Sequence, residues 1–138
     1  MLKIISSSLS LLFVSVVFIA GCKNNYQYDY SKVLTINRDD CGLQIVLPLR
    51  KLLLVRLAED VSNGEIWEIE RFDSKFLKPL KNDYDSKNKE RLFYFSALQE
   101  GSCELVFRQQ KLWQQDKIEF SQTNLNKIFF RVIIKNRR

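Results

Sequence analysis

The chain's most reactive side chains are three cysteines, Cys22, Cys41 and Cys103, and it holds no histidine at all. Cysteine and serine nucleophiles both rely on an imidazole to take their proton, so both of those catalytic classes are excluded. Zinc sites usually draw on histidine, and Cys41 and Cys103 alone cannot build a four-thiolate cage, so no metal is expected. The 16 acidic residues include no pair in a motif for glycoside hydrolysis. Nor is there a phosphate-cradling glycine loop, and no cofactor is expected. The chemistry that remains is binding, and the chain is expected not to be an enzyme.

The cysteines themselves do other work. Lys3 precedes an uncharged, mostly apolar run from Ile4 to Ala20, and Gly21-Cys22 follows. A basic start, an apolar stretch and small residues at the cut are features of a secretory signal peptide. "IAGC", Ile19 to Cys22, resembles a bacterial lipoprotein signal, which implies cleavage before Cys22 and a lipid on its sulfur. A transmembrane anchor is the other reading, although the run is marginal for the roughly 20 apolar residues a span requires. Export would place Cys41 and Cys103 in an oxidising space, where an even count suggests a disulfide. Two buried thiols that never meet is the alternative. Formal net charge is +6, with the cations dispersed among acids except in "KNRR", Lys135 to Arg138. Dispersed charge without interleaved aromatics does not suit nucleic acid, so no such partner is expected.

Positioning any binding surface requires a scaffold, and the dominant period here is two. Leu43, Ile45 and Leu47 alternate with polar or outward neighbours, as do Leu53, Val55 and Leu57, and then Trp67 and Ile69. Phe93, Phe95 and Ala97 follow, then Leu105 and Phe107, and finally Ile128, Phe130, Val132 and Ile134. Alternation of this kind marks half-buried strands. The segment around "ELVFRQQKLW" is the best helical competitor, but Gln109 and Asp116 interrupt its stripe, so it reads as strand plus loop. "KNDYDSKNKE", Lys81 to Glu90, is charged and reads as a loop. The sum is all-β: a sandwich of about seven short strands with no convincing helix. Three segments divide the chain: a signal peptide over 1–21, a polar tyrosine-dotted tether over 22–31, and a β-sandwich domain over 32–138.

Two loop-and-strand units then acquire meaning. "DVSNGEIW" resembles the first signature of the chagasin family of cysteine-peptidase inhibitors, Asn-Pro-Thr-Thr-Gly, two residues, then Trp. Gly64 and Trp67 fall in register, and Asp60, Val61, Ser62 and Asn63 fill the four positions before the glycine. Farther on, Gly101 precedes a strand, and Lys111, Leu112 and Trp113 occupy the family's Arg-Pro-Trp positions. The family's middle motif, Gly-x-Gly-Gly, falls near Ser86, Lys87, Asn88 and Lys89, where no glycine stands. The resemblance spans about residues 32–136.

It implies an immunoglobulin-like sandwich with three loops at one end that enter the active-site cleft of papain-like cysteine peptidases. Asp60 to Gly64 would form the inhibitory loop that covers the catalytic cysteine. Lys111, Leu112 and Trp113 would form a second binding loop, and Ser86 to Lys89 a third. Trp67 is expected in the core beneath the first loop. The implied function is reversible, steric inhibition by a protein lipid-anchored in the cell envelope, on the outer membrane facing the periplasm. The second reading is an immunoglobulin-like envelope lipoprotein that binds another protein, or has a structural role, without inhibiting peptidases.

Overall fold

A side chain that alternates between core and solvent every second residue suits a strand with one face covered, a pattern kept most clearly in Gln44–Pro48 and Lys127–Lys135. The computed structural model describes residues 27–111 and 126–136. Its strands are β1 (Val33–Asn37), β2 (Gln44–Pro48), β3 (Leu52–Ala58), β4 (Glu65–Arg71), β5 (Leu77–Asp85), β6 (Glu90–Ala97), β7 (Gly101–Lys111) and β8 (Lys127–Lys135). They form two four-stranded sheets, in the orders β1-β3-β6-β5 and β2-β8-β7-β4. β1 runs parallel to β3 and β2 parallel to β8, and the remaining neighbours are antiparallel. The all-β sandwich expected from the alternation is the fold observed.

The core lies between the sheets. Leu53, Val55, Leu57, Phe93 and Phe95 of the first sheet meet Leu47, Trp67, Leu105, Phe107, Phe130 and Val132 of the second. Phe107 sits at the centre, 4.8 Å from the Phe93 ring and 6.2 Å from Phe95 and Phe130, in tilted and edge-on geometries that suit aromatic quadrupoles.

One segment departs from the sequence reading. Lys81 to Asp85, expected in a loop, belongs to β5, and only the four residues Ser86 to Lys89 form the turn to β6. β5 is an edge strand with one fully buried residue, Leu77, so its composition is that of a solvated surface. Pro79 and a register shift between Pro79 and Lys81 interrupt its pairing with β6. Proline, lysine and a bulge are devices that keep an edge from recruiting another strand. The segment read as a tether, 22–31, is described from residue 27. Within its described part, Tyr30 packs edge-on to Tyr94 of β6 at 5.4 Å, and Lys81 lies 4.5 Å and 4.7 Å from their two ring centres. The last tether residues are thus fastened to the outer face of the first sheet.

Cys41 and Cys103 are free thiols, so the expected bridge is not made. The reason is topological. Cys41 precedes β2 on one side of β8, where the Gly42 N–H reaches the Phe129 carbonyl at 2.8 Å. Cys103 stands on β7, on the other side of β8, opposite Val132. Two strand spacings come to about 9–10 Å, beyond the roughly 7 Å that a disulfide tolerates between Cα atoms.

Candidate functional site

Three connections have their ends at one pole: β5–β6 and β7–β8, each between antiparallel neighbours, and β3–β4, which crosses from one sheet to the other. β3 leaves the sheet at Ala58 opposite Glu90, the first residue of β6. β4 starts at Glu65 opposite Lys111, the last residue of β7. The β3–β4, β5–β6 and β7–β8 connections therefore share this loop pole. The Glu59 N–H donates to the Lys89 carbonyl at 2.9 Å, so the first and third candidate loops touch through their backbones. The third connection returns beside the same spot: the Gln109 N–H reaches the Asn126 carbonyl at 2.9 Å. Gln109 Nε2 also donates to Glu65 at 3.3 Å. Lys111 is exposed at the end of β7, whereas Leu112 and Trp113 lie outside the described residues.

The first loop is a single turn of 3-10 helix, Val61–Asn63, capped at both ends. Asp60 is the N-cap. Its Oδ1 accepts the Ser62 N–H at 3.1 Å and the Ser62 hydroxyl, and its Oδ2 accepts Asn63 Nδ2–H at 2.7 Å. An asparagine amide oxygen would accept the first of these bonds equally well. The Ser62 hydroxyl, with smaller help from the backbone and Lys89, holds the Asp60 carboxyl below the usual aspartate value. Gly64 closes the turn at φ 71° and ψ 17°, a left-handed conformation that glycine takes at no steric cost. Val61, where the family signature has proline, is 46% exposed at the tip.

The third loop repeats this construction. Asp85 Oδ1 accepts the N–H groups of Lys87 and Asn88 at 3.0 and 3.2 Å, and its Oδ2 accepts Asn88 Nδ2–H at 2.7 Å. The next residue, Lys89, has φ 52°. "DVSNG" and "DSKNK" are thus the same turn built twice: an aspartate, an asparagine three residues on, then a left-handed residue. The second copy carries lysine where glycine would be relaxed. That repeated spacing was present in the sequence and would have singled out Asp85 and Asn88. A search for the missing middle glycines does not find it.

Beneath the first loop sits a residue that motif reasoning passed over. Glu59 is 1% exposed. Its carboxylate accepts the Trp67 N–H at 2.8 Å, Arg91 Nη2 at 2.6 Å and Arg91 Nε at 3.2 Å. The indole of Trp67, buried as expected, donates Nε1–H to the Ala58 carbonyl at 2.8 Å. Tyr84 donates its hydroxyl to the Glu59 carbonyl at 3.2 Å and presents its ring to the Arg91 guanidinium at 5.2 Å. Arg91 is held all the more firmly in its charged form by the Glu59 hydrogen bond, against the opposing effect of burial. Both ends of the first loop are therefore bolted to the top of the core, at Glu59 and at Trp67. The sequence signal was faint: Arg91 stands on the same face as Phe93 and Phe95, so an arginine continues an apolar inward row. Gly101, by contrast, lies at the pole opposite the loops. A Cβ there would come within 2.2 Å of the Phe76 ring, so its role is packing.

No family model matches the chain, and no curated protein matches it in sequence. Solved structures do. One is the cysteine protease inhibitor EhICP2 from Entamoeba histolytica, with a TM-score of 0.63 and 13% identity, covering 75% of this chain and 95% of that one. Another is amebosin, with a TM-score of 0.56 and 12% identity over 73% of this chain and 96% of that one. A third is PbICP-C, solved in complex with falcipain-2, with a TM-score of 0.53 and 10% identity over 75% of this chain and 99% of that one. The two-sheet sandwich is thus a fold shared with a solved cysteine protease inhibitor, the fold that the chagasin resemblance implied.

Proposed function

We propose that the protein is a reversible, steric inhibitor of papain-like cysteine peptidases, held at a membrane by a lipid on Cys22. The observation that carries this reading is the loop pole itself: two braced turns in backbone contact, with both ends of a third connection beside them. A turn fixed by its own side chains, and bolted to the core below, loses little entropy when it enters a cleft. Val61 at the tip offers an apolar contact, and Gly64 keeps the backbone free of a Cβ where it turns. The fold shared with the cysteine protease inhibitor EhICP2 and with PbICP-C, solved in complex with falcipain-2, supports the same reading. The chain has no imidazole with which to attack or be attacked, so inhibition would act by occupying the cleft. The lipid would keep the protein on the outer membrane, facing the periplasm.

The test uses protein begun at Lys23, whose core of Ile36 to Ile134 is complete. It should inhibit a papain-like peptidase without being cut, and the inhibition should reverse on dilution. Gly64→Val should weaken it at least tenfold by forcing a branched residue to φ 71°. Intact folding of that variant would be checked by its melt. A folded wild type that inhibits none of several papain-like peptidases would overturn the proposal and leave the envelope-protein reading. Cys22 is tested separately: fatty-acid labelling should disappear in Cys22→Ser.

A further inference from the structure

The chain enters the sandwich at the pole opposite the loops. There the Leu52 N–H donates to the Lys32 carbonyl at 2.9 Å, and the Leu49 N–H to the Lys135 carbonyl at 3.0 Å. Those bonds draw the start of β1, the β2–β3 turn and the end of β8 together around one shallow depression. Half-buried Pro48 and Leu49 line it, with exposed Lys32, Arg50, Lys51 and Asn136 around them, and exposed Lys135 is next to it in the chain. Elsewhere Arg56 pairs with Glu90, Arg71 with Glu104, Arg108 with Glu68 and Lys127 with Glu70, while Lys87, Lys89 and Lys111 at the loop pole have no carboxylate partner among the described residues. Around this depression only Lys32 is paired, to Asp29 at 3.8 Å. Arg50, Lys51 and Lys135 have no carboxylate partner among the described residues. The nearby acid, Glu100, accepts the Asn136 N–H at 2.8 Å.

We propose that this tether pole is a docking surface for an anionic membrane. Phosphate-bearing headgroups would be held by Arg50, Lys51, Lys135 and Lys32, over the apolar pair Pro48 and Leu49. Guanidinium and ammonium donors, three of them without a carboxylate partner among the described residues, match phosphate oxygens, and the apolar pair suits the boundary beneath them. The chain's path fits this occupant. Tyr30 is fastened to the sheet, and eight residue steps separate it from Cys22, about 25–30 Å at most when extended. A lipid on Cys22 would hold this pole within reach of the headgroups and turn the loop pole outward. That orientation rests on the proposed acylation, whereas the surface itself does not.

The experiment therefore uses unacylated protein begun at Lys23. Cosedimentation is measured with vesicles of equal parts phosphatidylglycerol and phosphatidylcholine, and with vesicles of phosphatidylcholine alone. Binding is expected to the first only, and to weaken as salt rises. Each cation at such a surface accounts for about fivefold in partitioning, so Arg50→Gln with Lys51→Gln should lose about 25-fold. Lys87→Gln with Lys89→Gln, at the loop pole, should lose much less. Equal loss in the two pairs would assign the attraction to net charge and overturn the proposal. So would no binding of the wild type to the anionic vesicles. So too would release by inorganic phosphate but not by chloride at matched ionic strength, which would mark a free-phosphate site. Unchanged melts exclude misfolding as the cause of any loss. Failed labelling of Cys22 would remove the anchor and leave this result standing.

Discussion

Glu59 and Arg91 show how much depends on one pair. Glu59's side chain has no exposed surface, and Arg91's has 21%. Three N–H donors converge on the Glu59 side chain, two from Arg91 and one from Trp67. Removing the guanidinium while keeping the carboxylate would strand a charge in the core. Arg91→Met should therefore cost about 3–5 kcal/mol in unfolding free energy, read as a fall in the denaturant midpoint at constant slope. Glu59→Gln keeps an oxygen for the Trp67 N–H and should cost less. A loss below about 1 kcal/mol for Arg91→Met would show that the pair is dispensable. Asp60, by contrast, titrates in the open. Its folded pKa is lowered from 3.8, first by the Ser62 hydroxyl. The native turn thus favours the carboxylate, and its contribution is complete above the unfolded value. It is lost as pH falls through the lower, folded value. The Ser62 amide resonance should follow that titration in acid and stop doing so in Asp60→Asn, which accepts the same bond without titrating. A Ser62 signal with the same acid midpoint in both proteins would refute the cap.

Among elements, the legible ones were those with a clean inward row. β3, β6, β7 and β8 each place at least two large apolar residues on the core at alternate positions, and their alternation was visible in the sequence. β1 and β5 were not visible. Each is an edge strand with a single fully buried residue, Ile36 or Leu77, and the side chains that face water resemble those of a loop. The loops divide the same way. Gly64 and Trp67 announced the first turn, whereas its twin was hidden because lysine fills the left-handed position at Lys89. That difference is measurable. A left-handed conformation costs a non-glycine residue about 1–2 kcal/mol, partly offset by the chain entropy glycine loses on folding. Lys89→Gly should therefore stabilise the protein by about 0.5–1 kcal/mol, seen as a raised denaturant midpoint. Destabilisation would mean that the Lys89 side chain contributes more than its backbone costs.

At the scale of the whole molecule, parity misled where topology decided. Export and an even cysteine count argued for a bridge, but count carries no information about which strand stands between the partners. β8 does. The second sheet, which holds both neighbourhoods, is consequently without a covalent staple between Cys41 and Cys103, and it is joined to the first by the packing of their inner faces. Cys103 is also poorly reactive: burial, and to a smaller degree the charge of Asp73, push its thiol up to about 11. At neutral pH very little thiolate exists there to attack a disulfide or an alkylating reagent. Protein begun at Lys23 should accordingly melt at the same temperature with and without reductant, and iodoacetamide should leave Cys103 unmodified until the core opens. A closed loop of this length would contribute about 4 kcal/mol if it were bridged. A melting point that falls by many degrees on adding reductant would therefore show that the strands rearrange to let the cysteines meet.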